Sequence, residues 1–239
     1  AVAKAAGILD SGGSAIEAAV EACVVLEDDP VFNAGTGSVF RTDGSVHLDA
    51  SIQTSEGKMG FVIAMQDTPN PIRVAADLLD EDINGLSGDG ARLWADSKGF
   101  ERSNVQGRPP FEGATDTVGV VARDKSGLIV CATSTGGTSN RPPGRVGDVP
   151  LPGCGFWVQD GVGVGATGIG EAITRGMISL RVADRILDGN GLEESMMWAL
   201  DECLEEDAEV GIIALGTEGT GHGVSNSTNM PWASWIARK

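Results

Sequence analysis

Asp116-Thr117-Val118-Gly119 is followed by Thr133-Ser134-Thr135-Gly136-Gly137, then by Gly144-Arg145-Val146-Gly147-Asp148, then by Thr167-Gly168-Ile169-Gly170-Glu171. Threonines, one arginine and one aspartate thus recur in a span dense in glycine. These residue types suit an enzyme that uses a threonine hydroxyl as nucleophile. Such a hydroxyl is weak at neutral pH and needs an adjacent base. The chain has two histidines, His47 and His222, both far from Thr117 in sequence. The remaining activator is the threonine's own α-amino group, freed by a cut between Asp116 and Thr117. A free α-amine titrates near ~7.7–8.0, close enough to neutrality to take the hydroxyl proton.

The other residues have matching tasks. Thr135 ends the strand after Thr117, and antiparallel pairing can bring the two threonines together. In the loop Arg145-Val146-Gly147-Asp148, a planar guanidinium matches a carboxylate and a carboxylate can hold an ammonium group. Together they would grip the head of one free amino acid. The competing reading is a surface ion pair worth under ~1 kcal/mol. Thr167 and Gly168 stand between a strand and a helix, where a hydroxyl and a backbone N–H can form an oxyanion hole helped by the helix dipole. Ile169 and Gly170 complete that wall, the glycine letting substrate approach the backbone. Gly163, Gly165 and Gly168 also spell GxGxxG after a strand. A dinucleotide fingerprint belongs in the first strand–helix unit with an acid ending the next strand. This one sits late, and Asp184 and Asp188 fall in a helix and at its end.

Elements that would position these residues are legible. Residues 1–10 read as the end of a helix, broken at Ser11-Gly12-Gly13. Ser14-Ala15-Ile16-Glu17 is a capping box opening a helix to Glu27. Val39-Phe40 and residues 46–52 flank Thr42-Asp43-Gly44 as a hairpin, and residues 61–65 form another strand. A helix is expected from Pro71 to about Leu79, and residues 90–95 start another. Residues 97–116 lose all periodicity and read as a linker. Strands follow at 117–122 and 128–133, a loop over 138–154, a strand at 162–166, helices over 171–187 and 192–205, and a strand at 210–215.

The ordered series TDTVG, TSTGG, GRVGD and TGIGE resembles the plant-type asparaginase and isoaspartyl peptidase family of N-terminal nucleophile hydrolases. Residues 26–35 match its LEDDPxFNAG block, residues 49–52 its DASI block, and residues 227–233 its closing segment. The resemblance begins after the opening strand and His-Gly-Gly-Ala-Gly turn of family members. It implies an α+β fold, a four-layer αββα sandwich whose first strand has no counterpart here. It implies self-cleavage into residues 1–116, carrying the linker 97–116, and residues 117–239, within one structural domain. Thr117 would be the nucleophile, Thr135 would hydrogen-bond it, and Asn33 would lie near the site. The substrates would be asparagine and β-aspartyl peptides, and the assembly a homodimer of αβ units. A structural sodium ion held by the backbone of Leu26, Glu27, Asp29, Phe32, Ala34 and Thr36 is implied, and no other cofactor. Glycosylasparaginase-like and threonine-aspartase-like hydrolases share the fold, although Asp148 departs from the pattern of the latter. An uncleaved homologue acting as a binding protein is the alternative from another class.

Composition sets the outer bounds. The 239 residues suffice for a substantial core, no apolar run approaches a membrane span, and the first residues show no signal-peptide pattern. Cys23, Cys131, Cys154 and Cys203 form no CxxC and read as reduced thiols of a cytoplasmic protein. Zinc hydrolase and Ser-His-Asp chemistry lack their ligand spacing and nucleophile elbow. With 34 acids against 17 bases the net charge is −17, which repels nucleic acid and anionic lipid. Lysine is scarce, so a halophilic source and an ordinary acidic enzyme are both compatible with the charge. Crowded carboxylates repel unless screened. The melting temperature should therefore rise as sodium or potassium chloride goes from low concentration toward molar. A flat or falling trend in scanning calorimetry would remove the halophilic reading.

Overall fold

The computed structural model describes residues 1–109, 117–216, 218–227 and 230–237. Helix α1 (Val2–Asp10) leads into α2 (Ala15–Glu27). The Ser14 hydroxyl accepts the Glu17 N–H at 3.1 Å, as the capping box requires. Ala15, Ala18, Ala19, Ala22 and Cys23 are buried along α2. These small residues let the helix lie close against the sheet beneath it.

That sheet contains β1 (Leu48–Thr54), β2 (Met59–Met65), β3 (Gly85–Ser87), β4 (Val118–Arg123) and β5 (Ile129–Thr135), in the order β3-β2-β1-β5-β4. All pairings are antiparallel except β2 with β3. Helices α3 (Pro71–Asp77) and α4 (Gly88–Ser97) share α2's side of the sheet. The second sheet contains β6 (Phe156–Gln159), β7 (Val162–Gly168), β8 (Val210–Leu215) and β9 (Gly221–Ser225), in chain order and antiparallel throughout. Helices α5 (Gly170–Gly176), α6 (Ile178–Leu187) and α7 (Leu192–Glu202) follow β7 in sequence, and α6 and α7 cover this sheet through Ile178, Val182 and Met196.

Strand alternation divides the first sheet's side chains cleanly. Ala50, Ile52, Val118, Ala122, Val130 and Ala132 pack toward the helices. Ile129, Cys131 and Val121 pack against Phe156 and Val158 of the second sheet. Two of the three GxGxxG glycines serve this contact. A Cβ on Gly163 would lie 2.8 Å from Val121 Cγ1, and one on Gly165 3.4 Å from Cys131 Sγ. They make room for the facing sheet, which accounts for the decoy without a nucleotide.

Several expectations need correction. The turn at 42–44 forms, with Gly44 N–H donating to Arg41 O at 3.1 Å and Arg41 N–H to Ser45 O at 2.9 Å. Its first arm is not a hairpin strand, because Val39 bridges Arg108 and Phe40 N–H donates to Arg108 O at 3.2 Å. Part of the expected linker is thereby tied down, and Ser103 N–H adds a bond to Asp67 O at 3.1 Å. Residues 110–116, including Asp116, lie outside the described residues, as do Thr228 and Asn229 of the closing segment. The helix expected over 171–187 is two helices, since Met177 at φ 46° turns the chain left-handed between α5 and α6. Short β3, β6 and β9 carry too little periodicity to be read from sequence.

Glu27 ends α2 with its side chain fully buried. It accepts the Ile72 N–H at 3.2 Å at the start of α3. Burial pushes its carboxyl up to about 8, against the opposing pull of the Ser134 hydroxyl, the Ile72 N–H and the Asn70 amide. A carboxyl raised in the folded state gives stability that is full below its unfolded value, about 4.5, and lost as pH rises to about 8. Between those limits the loss is at most ~1.4 kcal/mol per pH unit. Glu27→Gln keeps the acceptor and cannot ionise. Its melting temperature should gain on the native protein's from about pH 5 to about pH 8 and then level off. A difference independent of pH would show that Glu27 is not buried as a neutral acid.

Candidate active site

Register builds the site. Val118 pairs with Ser134 and Gly119 with Thr133, while Asp49 pairs with Thr135 and Ser51 with Thr133. One step before Val118 along this register, Thr117 stands opposite Thr135. Residues paired this way share a face, so Thr117, Thr135 and Asp49 form a row across three strands. The row faces the second sheet. A Cβ on Gly119 would lie 3.5 Å from Ile213 Cδ1 of β8, and Ser51 Oγ donates to Val149 O at 2.7 Å. With that proton committed, Thr133 donates its hydroxyl proton to Ser51 across 2.6 Å.

Thr117 is half-buried and lies immediately before β4 rather than inside it. Thr135 is buried, and its Oγ1 accepts the Gly137 N–H at 3.0 Å. Asn33 is also buried. Its amide donates to Gly137 O at 2.5 Å, its Oδ1 accepts the Val39 N–H at 3.0 Å, and its carbonyl accepts the Gly136 N–H at 2.8 Å. Asn33 therefore fixes the turn after Thr135 through the backbone. Gly136 has to be glycine, since a Cβ there would lie 2.6 Å from Asn33 Oδ1 and 2.5 Å from Ser38 Cβ.

The opposite wall comes from the second sheet. Thr167 and Gly168 end β7 against Gly211 and Val210 of β8. Gly168 sits at φ 133°, and a Cβ there would lie 2.1 Å from Glu209 O. Thr117, Thr133, Thr167, Gly168 and Ile169 line one cavity of about 830 Å³. Thr135, Asn33, Arg145, Val146, Gly147, Asp148 and Gly170 do not line it. The last five belong to an adjoining cluster. A Cβ on Gly170 would lie 2.8 Å from Arg145 Nη2 and 2.8 Å from Asp148 Oδ1, and one on Gly147 2.8 Å from Arg145 Nη1. Arg145 and Asp148 do converge, as their spacing suggests. The space over Gly170 is filled by these two side chains, which corrects the expectation that it is left for substrate. Val146 and Ile169 are exposed beside them.

Three groups were not singled out from sequence. Glu171 holds Arg145 bidentately, accepting from Nε at 3.1 Å and Nη2 at 2.9 Å, and the guanidinium lowers its carboxyl. Its place in TGIGE, directly after the assigned Gly170, was the available signal. Asp49 is fully buried, and its Oδ1 accepts the Ala64 N–H at 2.7 Å beside a register shift between β1 and β2. Burial pushes Asp49 up to about 6, against the Ala64 bond and the charges of Arg41 and Arg145. Arg41 is buried beneath Gly137 and donates to Thr138 O at 3.3 Å. Nothing in residue type marks either of these as part of the site.

In the 26–36 loop, where a sodium ion is expected, Asp29 O and Ala34 O accept the Phe32 and Gly37 N–H groups at 3.2 and 3.1 Å. Glu27 O and Pro69 O lie 2.6 Å from where a Cβ on Gly35 would be, and Phe32 O 2.0 Å from one on Gly37. A loop this dense in carbonyl oxygens fits a hard monovalent cation. Among the described residues no cluster of His, Cys, Asp and Glu could hold a metal ion.

The asparaginase family model matches residues 1–108 and 105–239. The chain belongs to the asparaginase family. It is 40% identical over 197 residues to the plant-type L-asparaginase of Pyrobaculum calidifontis, an alignment covering 72% of this chain and 66% of that protein. It is 36% identical over 251 residues to the isoaspartyl peptidase/L-asparaginase of Bos taurus, covering 95% and 82%. The protein of the same name from Synechocystis is 33% identical over 238 residues, covering 88% and 72%. The chain thus spans about two thirds to four fifths of the length of these relatives. Among the described residues, no helix is long and apolar enough to cross a membrane.

The crowding at Gly170 gives a direct test. In Gly170→Ala the new methyl has to displace Arg145 or Asp148. KM for asparagine should rise on the order of tenfold, the loss of one charge-assisted contact, with circular dichroism unchanged. An unchanged KM would show that the two side chains need not meet over this residue.

Proposed function

We propose that this protein is an amidohydrolase that splits L-asparagine and β-aspartyl dipeptides through Thr117, freed by self-cleavage after Asp116. The observation that carries the reading is the row of Thr117, Thr135 and Asp49 facing a wall that ends in Thr167 and Gly168. Family membership supplies the reaction class, and the printed activities of the bovine and Pyrobaculum proteins supply the substrates.

The Thr117 hydroxyl attacks the side-chain amide carbon, and its proton passes to the Thr117 α-amine. Thr167 and Gly168 donate to the developing oxyanion. The amine returns the proton to the departing nitrogen as the C–N bond breaks, leaving a β-aspartyl ester on Thr117. Water then cleaves the ester and regenerates the hydroxyl. Arg145 takes the substrate's α-carboxylate and Asp148 its ammonium. Glu171 holds the Nε–Nη2 edge of the guanidinium and leaves the remaining Nη protons for the substrate.

We further place the chain in a four-layer αββα sandwich, as a pair of αβ units, with a sodium ion in the 26–36 loop. Four unpaired cysteines, three of them buried, suit the cytoplasm.

Incubated protein should give two bands on a denaturing gel, with Thr117 as the new N-terminus, and Thr117→Ala should stay whole. A different new terminus would overturn the nucleophile assignment. In cleaved, folded protein, Arg145→Ala should lower kcat/KM on asparagine and on β-aspartyl dipeptides alike, by about a hundredfold for a lost charge-assisted pair. An unchanged value would remove the grip.

A further inference from the structure

We propose that His47 is a positioning residue for the 144–148 loop: with Nδ1 unprotonated it accepts the Gly144 N–H and holds Arg145 and Asp148 at the site. The inference rests on reading that loop as the substrate grip.

The Gly144 N–H donates to His47 Nδ1 at 3.2 Å. Gly144 lies at φ 80°, in the left-handed region that favours glycine, and opens the run that carries Arg145. Two further ties join the stretch from Thr138 to Asp148 to residues 41–47. Thr42 N–H donates to Arg141 O at 3.0 Å, and Arg41 Nη1 donates to Thr138 O at 3.3 Å. The same guanidinium donates through Nη2 to His47 O at 3.4 Å. The backbone tie at Thr42 does not titrate, and an arginine keeps its charge throughout the working range. The His47 bond is the tie that a proton can break. A protonated Nδ1 is a donor, so it would face the Gly144 donor and release the loop immediately before Arg145.

The charges around the ring favour its neutral form. Burial pushes His47 below its usual value, the Arg41 charge adds to this, and Asp43 opposes it. Arg141, Arg145 and Asp148 are the charged residues of the facing loop, and Asp49 lies two residues along the chain. A histidine lowered in the fold supplies its contribution above the unfolded value near 6.5 and loses it as pH falls through the lower folded value. The Thr117 amine, by contrast, would titrate near ~7.7–8.0.

The test compares the cleaved native enzyme with His47→Asn, whose Oδ1 accepts without titrating, and with His47→Val, which has no acceptor. KM and kcat for asparagine are measured from about pH 8 to about pH 4.5, together with amide exchange at Gly144. Native KM should climb about fivefold through the acid limb, the value of one net hydrogen bond. His47→Asn should restore a low KM without the climb, and His47→Val should keep the raised KM at every pH. The kcat profile should be shared by all three. The protection factor of the Gly144 amide, its exchange corrected for the intrinsic pH dependence, should fall with acid in the native enzyme alone. A flat native KM, or the same climb in His47→Asn, overturns the proposal, the latter by placing the titration on a carboxylate of the site such as Asp49, Asp148 or Glu171. Should Arg145→Ala show native KM, the grip reading fails instead, and Gly144 protection decides the positioning claim: a fall in protection shared by His47→Asn, or absent from the native enzyme, overturns it.

Discussion

The pairing register of three neighbouring strands governs the rest of the structure. Side chains alternate along a strand, so sliding β4 by one residue against β5 would turn Thr117 toward the helices. The observed register sets Val118 against Ser134 and Asp49 against Thr135. It is held from both faces. Toward the helices, Val118, Ala122, Val130 and Ala132 are apolar and buried. Toward the second sheet, the relay from Thr133 through Ser51 to Val149 O cannot survive a one-residue slip. The chemistry of the row is thereby placed by packing that takes no part in it.

A second constraint is close approach. Gly163 and Gly165 let the two sheets meet, which brings Thr167 within reach of the cavity that Thr117 lines. Gly136 admits the Asn33 side chain, and Gly170 admits Arg145 and Asp148. At Gly136, Gly137, Gly163, Gly168 and Gly170, backbone or side-chain atoms are packed where a methyl group would collide. The cavity wall is built from both sheets. The guanidinium of Arg145 is pre-oriented by Glu171, which lowers the ordering cost of binding a carboxylate.

The sequence was most legible where one residue type has one physical use. Ser14 and Glu17 marked the start of α2, and the apolar runs near 118 and 129 marked β4 and β5. The threonine, arginine and aspartate motifs marked the site because their chemistry is specific and their order matches a family. Asp49, Arg41 and His47 were missed for a shared reason. Each is ordinary by type, and each matters through a neighbour more than fifty residues away or through a backbone group, which spacing does not encode. The break at Met177 was hidden because methionine is a good helix former, and the left-handed turn there is closed by its own N–H to the Ile173 and Thr174 carbonyls, a backbone pattern with no residue signature. The tie between Arg108 and the 38–40 segment was hidden because a main-chain bridge has no residue signature.

The central claim is that this register presents Thr117, once freed, as the nucleophile. Acid-quenched mass spectrometry during turnover of asparagine tests it most directly. The account predicts one β-aspartyl acyl group on the fragment that begins at Thr117, mapped to the Thr117 side chain. An acyl group on Thr135, Thr167 or any other residue, or turnover by the uncut chain with no acyl fragment, would contradict it.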